Sequence, residues 1–148
     1  MSYQTLQLAD GSYQITDTVT GNVVFYADAS TVMTGKKIGS IARTDTTAKN
    51  LFTLPANTVV IGLKLISGVA SNATTTATVS VGITGTNTYF ISGADVKTAA
   101  GQLSAAAATN VGTNVGTSAV QVVGIYAETG TASTTGGPFL VVMDYYFI

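Results

Sequence analysis

Seven carboxylates, Asp10, Asp17, Asp28, Asp45, Asp95, Glu128 and Asp144, are the side chains on which proton chemistry at neutral pH would have to rest, because the 148-residue chain contains no histidine and no cysteine. Two acids flanking a sugar bond suffice for glycoside hydrolysis, provided one has a raised pKa and the other stays ionised. Asp10, Asp17 and Asp28 sit beside turns in the sequence pattern, which explains them as turn formers. Asp45, Asp95, Glu128 and Asp144 have no such explanation in sequence, yet no active-site frame surrounds them. The missing histidine and cysteine remove Ser-His and Cys-His nucleophile systems, thiolate chemistry, disulfides and zinc sites of the usual kind. The acids are too widely spaced for a calcium loop of the DxDxDG type. "VGITGTN" and "NVGTNVG" lack the lysine and glycine spacing of a phosphate loop. The residues therefore indicate no catalytic site, no metal site and no cofactor.

Charge points the same way. Six basic and seven acidic residues give a formal charge of -1, and only 9% of residues are charged against a usual figure of about 25%. No electrostatic field is available to draw nucleic acid or an anionic membrane. No apolar run reaches the ~18 residues of a membrane helix, and the N-terminus has no basic-then-apolar leader. The expected surface is neutral and polar, built from Thr, Ser, Asn and Gly.

The elements are strands. Apolar residues recur with period two between Gly, Asn, Asp and Thr punctuation, which predicts an all-β domain of eight or more strands. "YQTLQLADGSYQIT" predicts strands at about 3–8 and 12–17 around an Asp10-Gly11 turn, and a third follows at about 22–27, so residues 1–30 read as an N-terminal hairpin or meander. A strand is expected at about 37–43. The strongest one lies in "LFTLPANTVVIGLKLISGV" after Pro55, with Val59, Ile61, Leu63 and Leu65 on one face. "TTTATVSVGI" puts Thr75, Ala77, Val79, Val81 and Ile83 on one side and a Thr/Ser row on the other. Further strands are expected at about 88–92, in "SAVQVVGIYAE", and in the closing "FLVVMDYYFI". Between them, Gly93–Ser118 is long and small-residued, with a helical turn conceivable only in its Ala-rich part; "TGTASTTGGP" is a loop. This pattern predicts a β-sandwich, specifically a jelly roll, formed as a single domain over residues 1–148 with residues 1–30 as a meander or arm that contacts neighbours.

Alternation divides the closing strand into a core set, Phe139, Val141, Met143, Tyr145 and Phe147, and a second set, Leu140, Val142, Asp144, Tyr146 and Ile148. The second set carries one charge and is too apolar for an ordinary solvated face. Either the strand is central and covered on both sides, or Leu140, Val142, Tyr146 and Ile148 form an interface with another molecule.

From about residue 52 onward the order "FTLPANTVVIGLKL", "TATVSVGITG", "YFISGADVKTAAGQL" and "VVGIYAETGTASTTGGPFLVVMDYYFI" resembles small jelly-roll capsid decoration, or cement, proteins of tailed bacteriophages. The resemblance implies a structural virion protein, made in the host bacterial cytoplasm, that sits on the outside of the assembled head and stabilises contacts between capsomers. It implies the major capsid protein as partner, together with self-association as a homotrimer in the first place or a dimer. The competing reading is a glycan- or receptor-binding module of a fibre or surface appendage, which would display a cluster of exposed tyrosines at one end of the sandwich. A surface-layer or fimbrial subunit is a third reading, and it would require an export signal.

Overall fold

A computed structural model describes residues 3–7, 13–20, 23–27, 34–98, 100–103 and 109–148, and every regular element among them is a strand. The chain divides into two compact units, Met1–Met33 and Thr34–Ile148. In the first, β1 (Tyr3–Gln7), β2 (Tyr13–Asp17) and β3 (Val23–Ala27) form an antiparallel meander in the order β1-β2-β3. The three strands fall where alternation put them, while the expected Asp10-Gly11 turn lies outside the described residues. Asp17 is the turn former expected of it: its carboxylate accepts the Val19 amide hydrogen at 2.9 Å.

The described residues of the second unit form eight strands: β4 (Thr34–Ile41), β5 (Lys49–Leu54), β6 (Thr58–Ser67), β7 (Thr76–Ile83), β8 (Thr86–Asp95), β9 (Gly101–Leu103), β10 (Val120–Thr129) and β11 (Phe139–Phe147). They form two four-stranded sheets, β5-β10-β7-β8 and β4-β11-β6-β9, paired antiparallel throughout. The chain changes sheet at nearly every step. The β-sandwich expected from the pattern is the architecture found.

The inner faces meet in one core, to which the first sheet contributes Leu54, Val79, Val81, Phe90, Ile91, Val122 and Tyr126, and the second Ile41, Val60, Leu65, Phe139, Val141 and Met143. Each such side chain, fully removed from water, stabilises the fold by about 1.5–3 kcal/mol before entropy is counted. Two glycines are dictated by this geometry. Gly85 closes the two-residue β7–β8 hairpin at φ 89°, a conformation that costs a side-chain-bearing residue strain. At Gly124 on β10 the Ile41 side chain occupies the place a Cβ would take, so the two sheets approach more closely there than any other residue would permit.

Several elements differ from the sequence expectation. Residues Lys49–Leu54, ahead of Pro55, form a strand of their own, β5, where the sequence predicted none. The strand expected at 37–43 runs over Thr34–Ile41, and that at 88–92 extends over Thr86–Asp95. β9 was not anticipated, and most of the Ala-rich run after it lies outside the described residues. The alternation assigned to β6 fails at Ile61. A bulge lets Asp144 pair with Gly62 and Tyr145 with Val60, so Ile61 has no partner on β11 and turns out to 49% exposure. Beyond the bulge, Val60 rather than Ile61 belongs to the core, while Leu63 and Leu65 keep their expected side.

Candidate interaction surface

β11 is a central strand, bonded to β4 along one edge and β6 along the other. Its inward set is as expected up to the end, with Phe139, Val141 and Met143 wholly buried and Tyr145 nearly so; Phe147, past the last core layer, is exposed. The outward set, Leu140, Val142, Asp144 and Tyr146, is half-buried in the single chain.

The register fixes what lies beside each outward residue. Leu140 stands between Ser40 and Ile66, Val142 between Ile38 and Lys64, Asp144 between Lys36 and Gly62, and Tyr146 between Thr34 and Val59. Ile38 is 60% exposed, a large share for a β-branched residue on the face of a sheet. Ile38, Val142, Leu140 and Ile66 thus form a contiguous apolar field, and the bulged Ile61 extends it toward Asp144. An open cleft of about 470 Å³, lined by Thr34, Gly35, Lys36, Ile61, Gly62 and Asp144, ends the field. The Lys36 ammonium lies 3.3 Å from Asp144 within it. Leu140, Val142 and Tyr146 therefore share one face. Ile148 lies beyond the end of the strand, its amide donating to the Asn57 carbonyl and its side chain 65% exposed. Sequence reading missed Ile38, Ile61, Ile66 and Lys64 as parts of this surface, because alternation within one strand does not say which strands flank it.

The four unexplained carboxylates all have structural bonds. Asp45 accepts from the Ala42 amide at 2.7 Å and from Lys49 Nζ at 2.8 Å, closing the β4–β5 loop. Asp95 accepts from the Lys97 amide and the Thr98 hydroxyl. Asp144 is paired with Lys36. Glu128 accepts from the Tyr126 hydroxyl at 2.6 Å and the Ser133 amide at 3.1 Å.

The last contact belongs to a knot of hydrogen bonds at one end of the sandwich. The Tyr126 hydroxyl has one proton, given to Glu128, so Ser71 Oγ, 2.7 Å away, donates to it, and Ser133 Oγ lies 3.2 Å from the same hydroxyl. Arg43 donates to the Ser133 carbonyl at 2.7 Å, and Asn72 binds the amides of Thr134 and Thr135. Loops 42–48, 68–75 and 130–138 are all tied to β10 in this way.

Three of these acids have lowered pKa values, opposite to what a general acid needs. At Asp95 the Lys97 amide is the main cause; at Glu128 the Ser133 side chain and the Tyr126 hydroxyl are. At Asp45 partial burial pushes upward but is outweighed by the Lys49 and Ala42 hydrogen bonds. A depressed folded-state pKa contributes stability that is present above the unfolded value, 3.8 for Asp and 4.5 for Glu, and is lost as pH falls through the folded value. The melting temperature is therefore expected to be level down to about pH 5 and to fall below it. Glu128→Gln should flatten part of that acid limb, as followed by circular dichroism between pH 7 and 3.

Among the described side chains no tyrosine is exposed. Tyr126 and Tyr145 are buried, and Tyr89 and Tyr146 are half-buried.

The fold has a solved counterpart. The chain is similar to one in the structure described as the cyanophage Pam1 capsid asymmetric unit, with a TM-score of 0.61 and 20% sequence identity, over 90% of this chain and 98% of that one. At that identity the likeness is one of fold. No protein-family model and no curated protein matches the sequence.

Proposed function

We propose that this chain is a structural protein of a tailed-phage virion, a decoration or cement protein that binds the outside of the assembled head and bridges capsomers. The observation that carries the reading is the fold likeness, over nearly the full length of both chains, to part of a phage capsid unit. The strand order supports it. With β4, β6, β9 and β11 in one sheet and β5, β7, β8 and β10 in the other, we read the sandwich as a jelly roll. Carboxylates held in structural bonds, with three pKa values lowered, suit a structural part better than a catalytic one. The described tyrosine side chains, Tyr89, Tyr126, Tyr145 and Tyr146, are buried or half-buried and form no exposed cluster of the kind expected of a glycan-binding module.

Attachment in this reading uses the outer face of β4-β11-β6-β9, with Leu140 and Val142 at its centre against the major capsid protein. That face measures about 400 Å² from strand spacing and rise, roughly half of the ~800 Å² each partner contributes to a standard interface. One copy on one capsid subunit would be held weakly. Bridging two capsomers, with self-contacts elsewhere in a homotrimer, multiplies the effective affinity without new chemistry. A composite site of this sort exists only on the assembled lattice, and binding stabilises that lattice by mass action.

The test is location. Particles purified from the source and washed should carry this polypeptide at a copy number set by the lattice, and should retain it in about 1 M NaCl, where exposed charge pairs are screened, while losing it in detergent. Absence from particles, or release by salt alone, contradicts the proposal.

A further inference from the structure

We infer that the polypeptide covering the outer face of β4-β11-β6-β9 presents a carboxylate to Lys64 and is therefore a different chain, not a second copy of this one. The inference rests on the outer-face reading above and adds the chemistry of the partner. Lys64 stands on β6 beside Val142, which separates it from Ile38, with Gly62 and Ile66 as its outward neighbours along the strand. It is exposed in the isolated chain and makes no ion pair among the described residues, whose two pairs are Lys36–Asp144 and Lys49–Asp45.

In water such a lysine has no consequence. Under a partner seated on Ile38, Val142 and Ile66 its ammonium loses hydration, and an unpaired buried charge costs several kcal/mol, more than the adjacent apolar contacts return. The face cannot supply the counter-charge, since its one carboxylate, Asp144, already faces Lys36. Its charged residues, Lys36, Lys64 and Asp144, leave an excess of one positive charge. A second copy laid on the same face would bring the same excess. The fitting occupant is a surface of another polypeptide with an apolar centre and at least one Asp or Glu at its margin.

Carbodiimide, which joins an amine directly to a carboxylate in contact with it, tests this on purified particles that carry the protein, with peptide mapping by mass spectrometry. Lys64 should be joined to an Asp or Glu of another polypeptide, and acetic anhydride should modify Lys64 on particles at least about tenfold more slowly than in the isolated chain. Lys64→Glu should lower occupancy of the particle by about tenfold or more, with Lys64→Arg close to wild type. Coupling of Lys64 to Asp144 or to another copy of this chain, equal acetylation in both settings, or full occupancy by Lys64→Glu would each overturn the inference while leaving the location on the particle intact. Absence of the chain from particles would instead remove the outer-face reading, and the inference with it.

Discussion

Tyr126→Ala is expected to destabilise the protein by about 3–5 kcal/mol, the range for removing a large buried aromatic side chain. The Tyr126 ring is fully buried and stacks on Phe139 with centroids 5.5 Å apart and planes 7° from parallel, joining a strand of one sheet to a strand of the other. Its hydroxyl ties Ser71, Ser133 and Glu128 together, so truncation also strands two buried serines. At this chain length each kcal/mol shifts the midpoint by about 2–4 °C, giving an expected drop of roughly 6–20 °C. Tyr126→Phe separates the two contributions, because it keeps the ring and removes the hub of the hydrogen bonds; about 1–3 kcal/mol is expected for the stranded polar groups. Urea unfolding of both variants measures the difference. A Tyr126→Phe protein as stable as wild type would show that the knot does not anchor the three loops.

Much of the sandwich was legible because burial writes itself into a strand with period two. Ala77, Val79 and Val81 face the core, and so do Phe139, Val141, Met143 and Tyr145, as their spacing required. The sequence did not reveal β5, because Pro55 ends a strand as readily as it precedes one, and Lys49–Leu54 is half-polar with a bulge at Leu51. The bulge at Ile61 was equally hidden. It depends on the match between two distant strands, and nothing in "TVVIGLKL" marks where the register slips. The Tyr126 knot escaped for a related reason: its members lie up to 90 residues apart, and Ser71, Glu128 and Ser133 look like ordinary loop and strand-end residues until the fold brings them to one hydroxyl. For the candidate surface, the sequence indicated that the second side of β11 is unusually apolar. The flanking Ile38 and Ile66, which turn a stripe into a field, followed only from strand order.

That field makes Leu140→Asp the most informative substitution. Leu140 points away from the core, between Ser40 and Ile66, and is half-buried in the single chain. An aspartate there remains in contact with water, so the isolated protein should lose about 1 kcal/mol or less of stability, far from the cost of a charge in the core. Against a partner the balance reverses. The substitution removes a central apolar contact and sets a carboxylate diagonally across from Lys64, where it competes with the partner's own carboxylate for that ammonium, and a loss of at least ~2 kcal/mol corresponds to about thirtyfold weaker attachment. The central claim, that the outer face of β11 holds this protein on an assembled particle, is tested most directly by supplying wild-type and Leu140→Asp chains to particles stripped of the native protein and measuring both melting temperature and bound copies. The account predicts a variant that melts within a few degrees of wild type and is nearly absent from particles. A variant that binds like wild type, or one that is unfolded before it meets a particle, would contradict it.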